Sequence, residues 1–108
     1  MSEKVIEASD SGFADAIRTG LVLLDFWAPR CGPCRMQGPI LEEVAAAVGD
    51  KALIVKVNID ENPKAAGAFV FKSIPTLFLL KDGGVMRQFT GLQRKDTLVA
   101  AIGQVAEG

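Results

Sequence analysis

Leu21-Val22-Leu23-Leu24-Asp25-Phe26-Trp27-Ala28-Pro29-Arg30-Cys31-Gly32-Pro33-Cys34 is the stretch on which the reading of this chain turns. Its first seven residues are nearly continuous apolar, the pattern of a strand covered on both faces. Gly32-Pro33 then marks a turn that opens a helix, because proline is pre-organised for the first helical positions. Downstream, Met36, Ile40, Leu41, Val44, Ala45 and Val48 recur at three- and four-residue intervals, so that helix is amphipathic. Pro39 should kink it, and Gly49-Asp50 should stop it. Cys31 therefore sits at a helix N-terminus, where unpaired N–H groups and the helix dipole favour the thiolate over the thiol. Cys34 lies one turn further in, close enough to close a small disulfide ring. The pair points to redox chemistry.

Other uses of two cysteines fit less well. A structural zinc site needs four ligands, and this chain has no histidine and no third cysteine, so no metal site is expected. A purely structural disulfide in so short a ring restricts the unfolded chain little and stabilises weakly. Two inert core cysteines would not be expected to flank Gly-Pro, which favours a turn and a helix start.

The chain has 108 residues, which suits one domain spanning 1–108 with a single core. Hydrophobic residues make up 49%, enough to argue against disorder. Twelve basic against thirteen acidic residues leave a net charge of −1, and no basic stripe is interleaved with aromatics, so nucleic-acid binding has no footprint. No apolar run approaches the ~20 residues needed to span a bilayer. Met1-Ser2-Glu3-Lys4-Val5 lacks an apolar segment after a basic start, so no secretory signal is expected and a cytoplasmic location follows. In that reducing compartment a CxxC pair is more often catalytic than structural. Nothing visible demands more than a monomer.

The remaining elements follow from periodicity and turn signals. Lys4 to Ala8 reads as a short strand, and Ser9 or Asp10 as the cap of a helix running to about Thr19. Ala52 to Ile59 is a second buried strand, and Asn62-Pro63 opens a short helix. Ser73 to Thr76 breaks the chain before a strand from Leu77 to Lys81. Asp82-Gly83-Gly84 predicts a hairpin returning through Val85 to Thr90. A last helix covers about Lys95 to Ala106, burying Leu98, Ala101, Ile102 and Val105. This order predicts an α/β fold: parallel βαβ units followed by an antiparallel hairpin at the sheet edge.

Two charged residues interrupt apolar strands. Asp25 is a carboxylic acid in an otherwise apolar run; buried there, its pKa should rise toward the range useful for proton transfer, whereas at a strand end it would face water. Lys56 interrupts Leu53 to Ile59 in the same way and by itself reads as a solvated strand residue.

Taken in order, Asp25-Phe26-Trp27-Ala28, Cys31-Gly32-Pro33-Cys34, Lys56-Val57-Asn58-Ile59-Asp60, Ser73-Ile74-Pro75-Thr76 and Gly91 resemble the thioredoxin family with matching spacing, over essentially the whole chain. The resemblance implies the thioredoxin fold, a central mixed sheet of about five strands flanked by about four helices. It implies a thiol–disulfide oxidoreductase that reduces protein disulfides through a reversible Cys31–Cys34 disulfide, with no bound cofactor. Cys31 would attack a partner disulfide and Cys34 would resolve the mixed disulfide. Asp25 would take the proton from Cys34, with Lys56 steadying its carboxylate. Pro75 resembles the family's cis-proline, which would turn the Ile74 backbone toward the cysteines for an extended substrate strand. Trp27 and Gly91 would flank that groove. The implied partners are disulfide-containing proteins and, as electron donor, thioredoxin reductase, a flavoprotein fed by NADPH. Gly32 and Pro33 between the cysteines favour reduction, again by resemblance.

Two features depart from the family pattern. Arg30 stands where tryptophan is usual; turned inward, its guanidinium would favour the Cys31 thiolate, and as a charge in place of a flat apolar patch it would also bias partner choice toward acidic surfaces. Phe69-Val70-Phe71 is bulkier than expected and suggests denser packing against the sheet. The rival readings are a thioredoxin-like protein dedicated to one partner and a binding module in which the same groove docks a protein. Docking alone, however, would not need the acid at Asp25.

Overall fold

The computed structural model describes residues 5–108. Of the expected first strand, Lys4 to Ala8, Lys4 lies outside the described residues, and Val5–Glu7 is strand (β1). There follow Phe13–Ile17 (α1), Leu21–Trp27 (β2), Gly32–Val48 (α2), Leu53–Asn58 (β3), Pro63–Gly67 (α3), Thr76–Lys81 (β4), Gly84–Thr90 (β5) and Lys95–Glu107 (α4). The strands form one sheet in the order β1-β3-β2-β4-β5. β1, β3 and β2 are parallel, and β4 and β5 run antiparallel at the other side, as the order of elements predicts.

β2 is the centre of the sheet, and its near-continuous apolar sequence follows from cover on both faces. Leu23 packs with Leu41, Val44 and Ala45 of α2 and Leu98, Ala101 and Ile102 of α4. Val22, Leu24 and Phe26 point the other way, into a cluster with Phe13 of α1 and Ala65 of α3. By strand alternation Asp25 shares the face of Leu23, beneath α2. Asp82 (φ +50°) and Gly83 (φ +85°) form the two-residue hairpin loop, both in the left-handed region that such a loop requires. Lys81 then pairs with Gly84, so β5 begins one residue before the expected Val85.

Three local expectations are corrected. Neither Ser9 nor Asp10 caps α1, which starts later, behind Gly12. Asp10 instead caps α3 from across the chain: its Oδ1 accepts the Ala65 N–H at 2.8 Å, and its own N–H donates to Asn62 Oδ1 at 3.0 Å. Asn62 holds the N-cap position of α3 as expected, but its side chain makes no cap bond there. In α2, Met36 is 60% exposed and Gln37 is fully buried, the reverse of what hydropathy suggests. Helix α2 continues through Pro39 to Val48, and Gly49 ends it with φ +58°.

The Phe69-Val70-Phe71 segment contributes two rings to an aromatic cluster under the sheet. Phe71 stacks on Phe26 with ring centroids 4.7 Å apart, while Phe69 lies 4.8 Å from Phe78 and 5.9 Å from Phe13. Val70 between them is left exposed.

Candidate active site

Residues Ala28 to Cys31 leave the C-terminal end of the central strand and turn directly into α2, so the strand aims the cysteines at the end of the sheet. Cys31 is the N-cap of α2 in extended conformation, and its Sγ accepts the Cys34 N–H at 3.2 Å. Sulfur thus takes the place usually held by a serine or aspartate oxygen, satisfying one of the orphan N–H groups of the first turn. Pro33 within that turn lacks an N–H that would otherwise need a partner. Cys31 is half-buried and Cys34 almost wholly buried, and the two are joined by a disulfide with Cα atoms 5.2 Å apart.

The Ile74–Pro75 bond is cis, and the Ile74 carbonyl oxygen lies 3.7 Å from Cys31 Sγ. Gly91, at φ +84°, follows β5 and donates its N–H to the Pro75 carbonyl at 2.8 Å. Arg30, Ile59, Phe71, Lys72, Ser73 and Ile74 line a cleft of about 240 Å³ beside this loop. Cys31, Ile74, Pro75 and Gly91 are therefore brought together along one rim.

Asp25 is fully buried, and neither carboxyl oxygen has a hydrogen-bond partner among the described residues. Burial pushes its pKa from 3.8 up to about 7, Lys56 pulls it down, and Glu7 pushes it up. Lys56 is the register partner of Asp25 on β3, and Glu7 is the register partner of Lys56 on β1. These three residues thus form a row acid–base–acid across three strands, on the sheet face beneath α2. Lys56 Nζ lies 4.3 Å from the centroid of the Trp27 ring, a cation–π contact, and near Gly38 of α2, where a Cβ would stand 3.6 Å from it. Trp27 Nε1 donates to Glu7 Oε2 at 3.4 Å. Burial also raises the Glu7 carboxyl, against the pull of Lys56 and the Trp27 hydrogen bond. A cleft of about 560 Å³, lined by Val5, Glu7, Arg35, Gly38, Pro39, Glu42 and Lys56, opens over this row rather than over the cysteines. Trp27 accordingly touches the charged row as well as ending the strand that leads to Cys31.

Arg30 is paired with an acid from the segment after β3. Its Nε and Nη2 are taken by the Asp60 carboxylate at 3.2 and 3.1 Å, with both side chains largely exposed. Glu7 and Gln37 were not singled out by sequence reasoning, and Asp60 entered only as the end of a motif, with no role. Each acquires its place from a partner distant in the chain, and hydropathy carries no signal for any of them.

Two sulfurs bonded to each other, one reachable from solvent and seated on a helix N-terminus, can exchange that bond for a bond to a third sulfur. The molecule is a thiol–disulfide oxidoreductase. Comparison with known proteins narrows the class: residues 4–104 match the family model described as Thioredoxin. The thioredoxin of Bacillus subtilis (strain 168) is 47% identical over 94 residues, covering 87% of this chain and 90% of that protein. The thioredoxin of Staphylococcus saprophyticus is 45% identical over 98 residues, covering 91% and 94%, and thioredoxin 2 of Chlorobaculum tepidum is 44% identical over 100 residues, covering 91% and 92%. The chain belongs to the thioredoxin family, and its activity is the reduction of protein disulfides through the cysteine pair. No helix of the described residues is long and apolar enough to cross a membrane.

Proposed function

We propose that residues 1–108 act as one domain in which Cys31 is the attacking thiolate, Cys34 the resolving thiol and Asp25 the proton acceptor behind them. The observation that carries this reading is the Cys34 N–H held on Cys31 Sγ, together with the difference in exposure between the two sulfurs. In the reduced protein the same N–H favours negative charge on Cys31. The Cys31 thiolate attacks one sulfur of a substrate disulfide, forming a mixed disulfide and releasing the first substrate thiolate. Cys34 gives its proton to the Asp25 carboxylate and attacks Cys31 Sγ. The second substrate thiolate leaves, and the two substrate thiolates take up one proton returned by Asp25 and one from water, the latter replacing the proton Cys31 lost on ionising. Two electrons pass to the substrate, and the Cys31–Cys34 disulfide remains.

Lys56 steadies the Asp25 carboxylate from the adjacent strand. Ile74, beside the Pro75 cis bond, offers its backbone to an extended substrate segment, and Gly91 and Trp27 bound the groove. Gly32 and Pro33 set the short ring, and Arg30 acts on partner choice from its exposed pair with Asp60. The dithiol is the redox group, so no bound cofactor is required. A monomer in the cytoplasm, recharged by an NADPH-fed flavoprotein of the thioredoxin reductase type, completes the reading.

The test is reduction of insulin disulfides with dithiothreitol as donor, comparing the wild type with Cys31→Ser. Turnover that is lost in the variant is expected. Equal turnover by both proteins would remove Cys31 from the attacking role.

A further inference from the structure

Gln37 is wholly buried on α2, one residue beyond Met36 and three beyond Cys34, at a position where an apolar side chain would complete the core without desolvating an amide. Both ends of its amide are spent on the main chain of one residue. Gln37 Nε2 donates to the Gln93 carbonyl at 3.1 Å, and Gln37 Oε1 accepts the Gln93 N–H at 2.7 Å. Gln93 in turn folds its own side chain back over the turn, with Nε2 donating to the carbonyls of Thr90 at 3.2 Å and Gly91 at 3.0 Å. Gly91 is joined to Pro75, and Ile74 to Cys31. The contacts close a circuit that leaves α2 at Gln37, passes along the Gly91 turn and the Pro75 loop, and returns to α2 at Cys31. Within the turn Leu92 is left 40% exposed, an apolar side chain presented beside the rim.

We propose that Gln37 is a positioning residue for protein substrates: its buried amide clamps the Gly91–Gln93 turn to the helix that carries the cysteines. The inference rests on the reading above that Gly91 flanks the substrate groove. Two hydrogen bonds to one residue fix orientation as well as distance, which a single bond or an apolar contact does not. The turn is then held ready before a partner arrives, and less ordering is required when a peptide segment docks. A small disulfide that reaches Cys31 without touching the turn gains nothing from the clamp.

The experiment uses the full chain carrying Gln37→Met, which keeps length and volume and removes both bonds. Insulin reduction is compared with reduction of 5,5′-dithiobis(2-nitrobenzoic acid) by the reduced protein. The expected result is a roughly tenfold rise in KM for insulin, comparable to losing one buried hydrogen bond, with the rate toward the small disulfide within about twofold of wild type. The Gln93 amide proton should also exchange faster in the variant. Equal losses toward both substrates would overturn the proposal, as would no loss toward either. If Gln37→Met does not fold, Gln37→Asn, whose amide is one methylene too short to span both bonds, must show the same split. Wild-type turnover of insulin that survives Cys31→Ser would instead overturn the underlying reading of the site, whatever Gln37 does.

Discussion

Asp25 and Lys56 stand side by side on adjacent parallel strands, in register, on the sheet face beneath α2. The acid is sealed from water without a hydrogen-bond partner among the described residues, and the ammonium group is flanked on its other side by Glu7. The proton affinity of Asp25 is therefore set by three influences of known effect: burial and Glu7 raise it, and Lys56 lowers it.

Those signs predict opposite effects of two substitutions. Lys56→Met removes the attractive charge, so Asp25 should titrate above its present value of about 7. Glu7→Gln removes a like charge, so Asp25 should titrate below it. The carboxyl carbon-13 shift of Asp25 followed against pH reads both, and movement in the same direction for the two variants would contradict the row of alternating charges.

Asp25 also makes stability depend on pH. Its folded pKa of about 7 is raised above the ordinary 3.8, so its favourable contribution is full below about pH 4 and lost as pH rises through 7. The ionised form costs the folded state about 4 kcal/mol at alkaline pH, at ~1.4 kcal/mol per tenfold change in proton affinity. Asp25→Asn should therefore be more stable than wild type, by a margin that grows between pH 5 and pH 8.5. Urea denaturation at a series of pH values measures it; a margin independent of pH would place the acid in water.

Arg30 is engaged by Asp60, and surface pairs of this kind contribute ~0–1 kcal/mol. Arg30→Trp should leave the denaturation midpoint nearly unchanged and the thiolate absorbance titration superimposable on that of wild type. Its effect should instead fall on partners, as a smaller salt dependence of reduction of acidic disulfide peptides. A displaced thiolate titration would return Arg30 to the sulfur.

Asp10 caps α3 through the Ala65 N–H, although 55 residues separate them. Asp10→Ala should cost about 1 kcal/mol, the usual value of a lost cap. Thermal unfolding reads the loss, and exchange of the Ala65 amide should accelerate with it. An unchanged Ala65 amide would mean that the cap does not protect α3.

How far one dimension reaches is plain from particular residues. The central strand, the helix opening at Gly32-Pro33 and the Asp82-Gly83 hairpin are legible because each depends on near neighbours: unbroken apolar character, the fixed φ of proline, left-handed turn residues. The cysteine pair is legible for the same reason, since both sulfurs lie on one turn of one helix. Asp25 stood out only as an acid in the wrong company, and Lys56 had a plain solvated alternative until the strand register set them side by side. Glu7, Gln37 and the Asp10 cap could not be read, because their partners are brought in by strand pairing and helix packing, over separations of 49, 56 and 55 residues. Hydropathy misplaced Met36 and Gln37 because a buried amide satisfied at both ends is tolerated in a core, and only the fold supplies the groups that satisfy it.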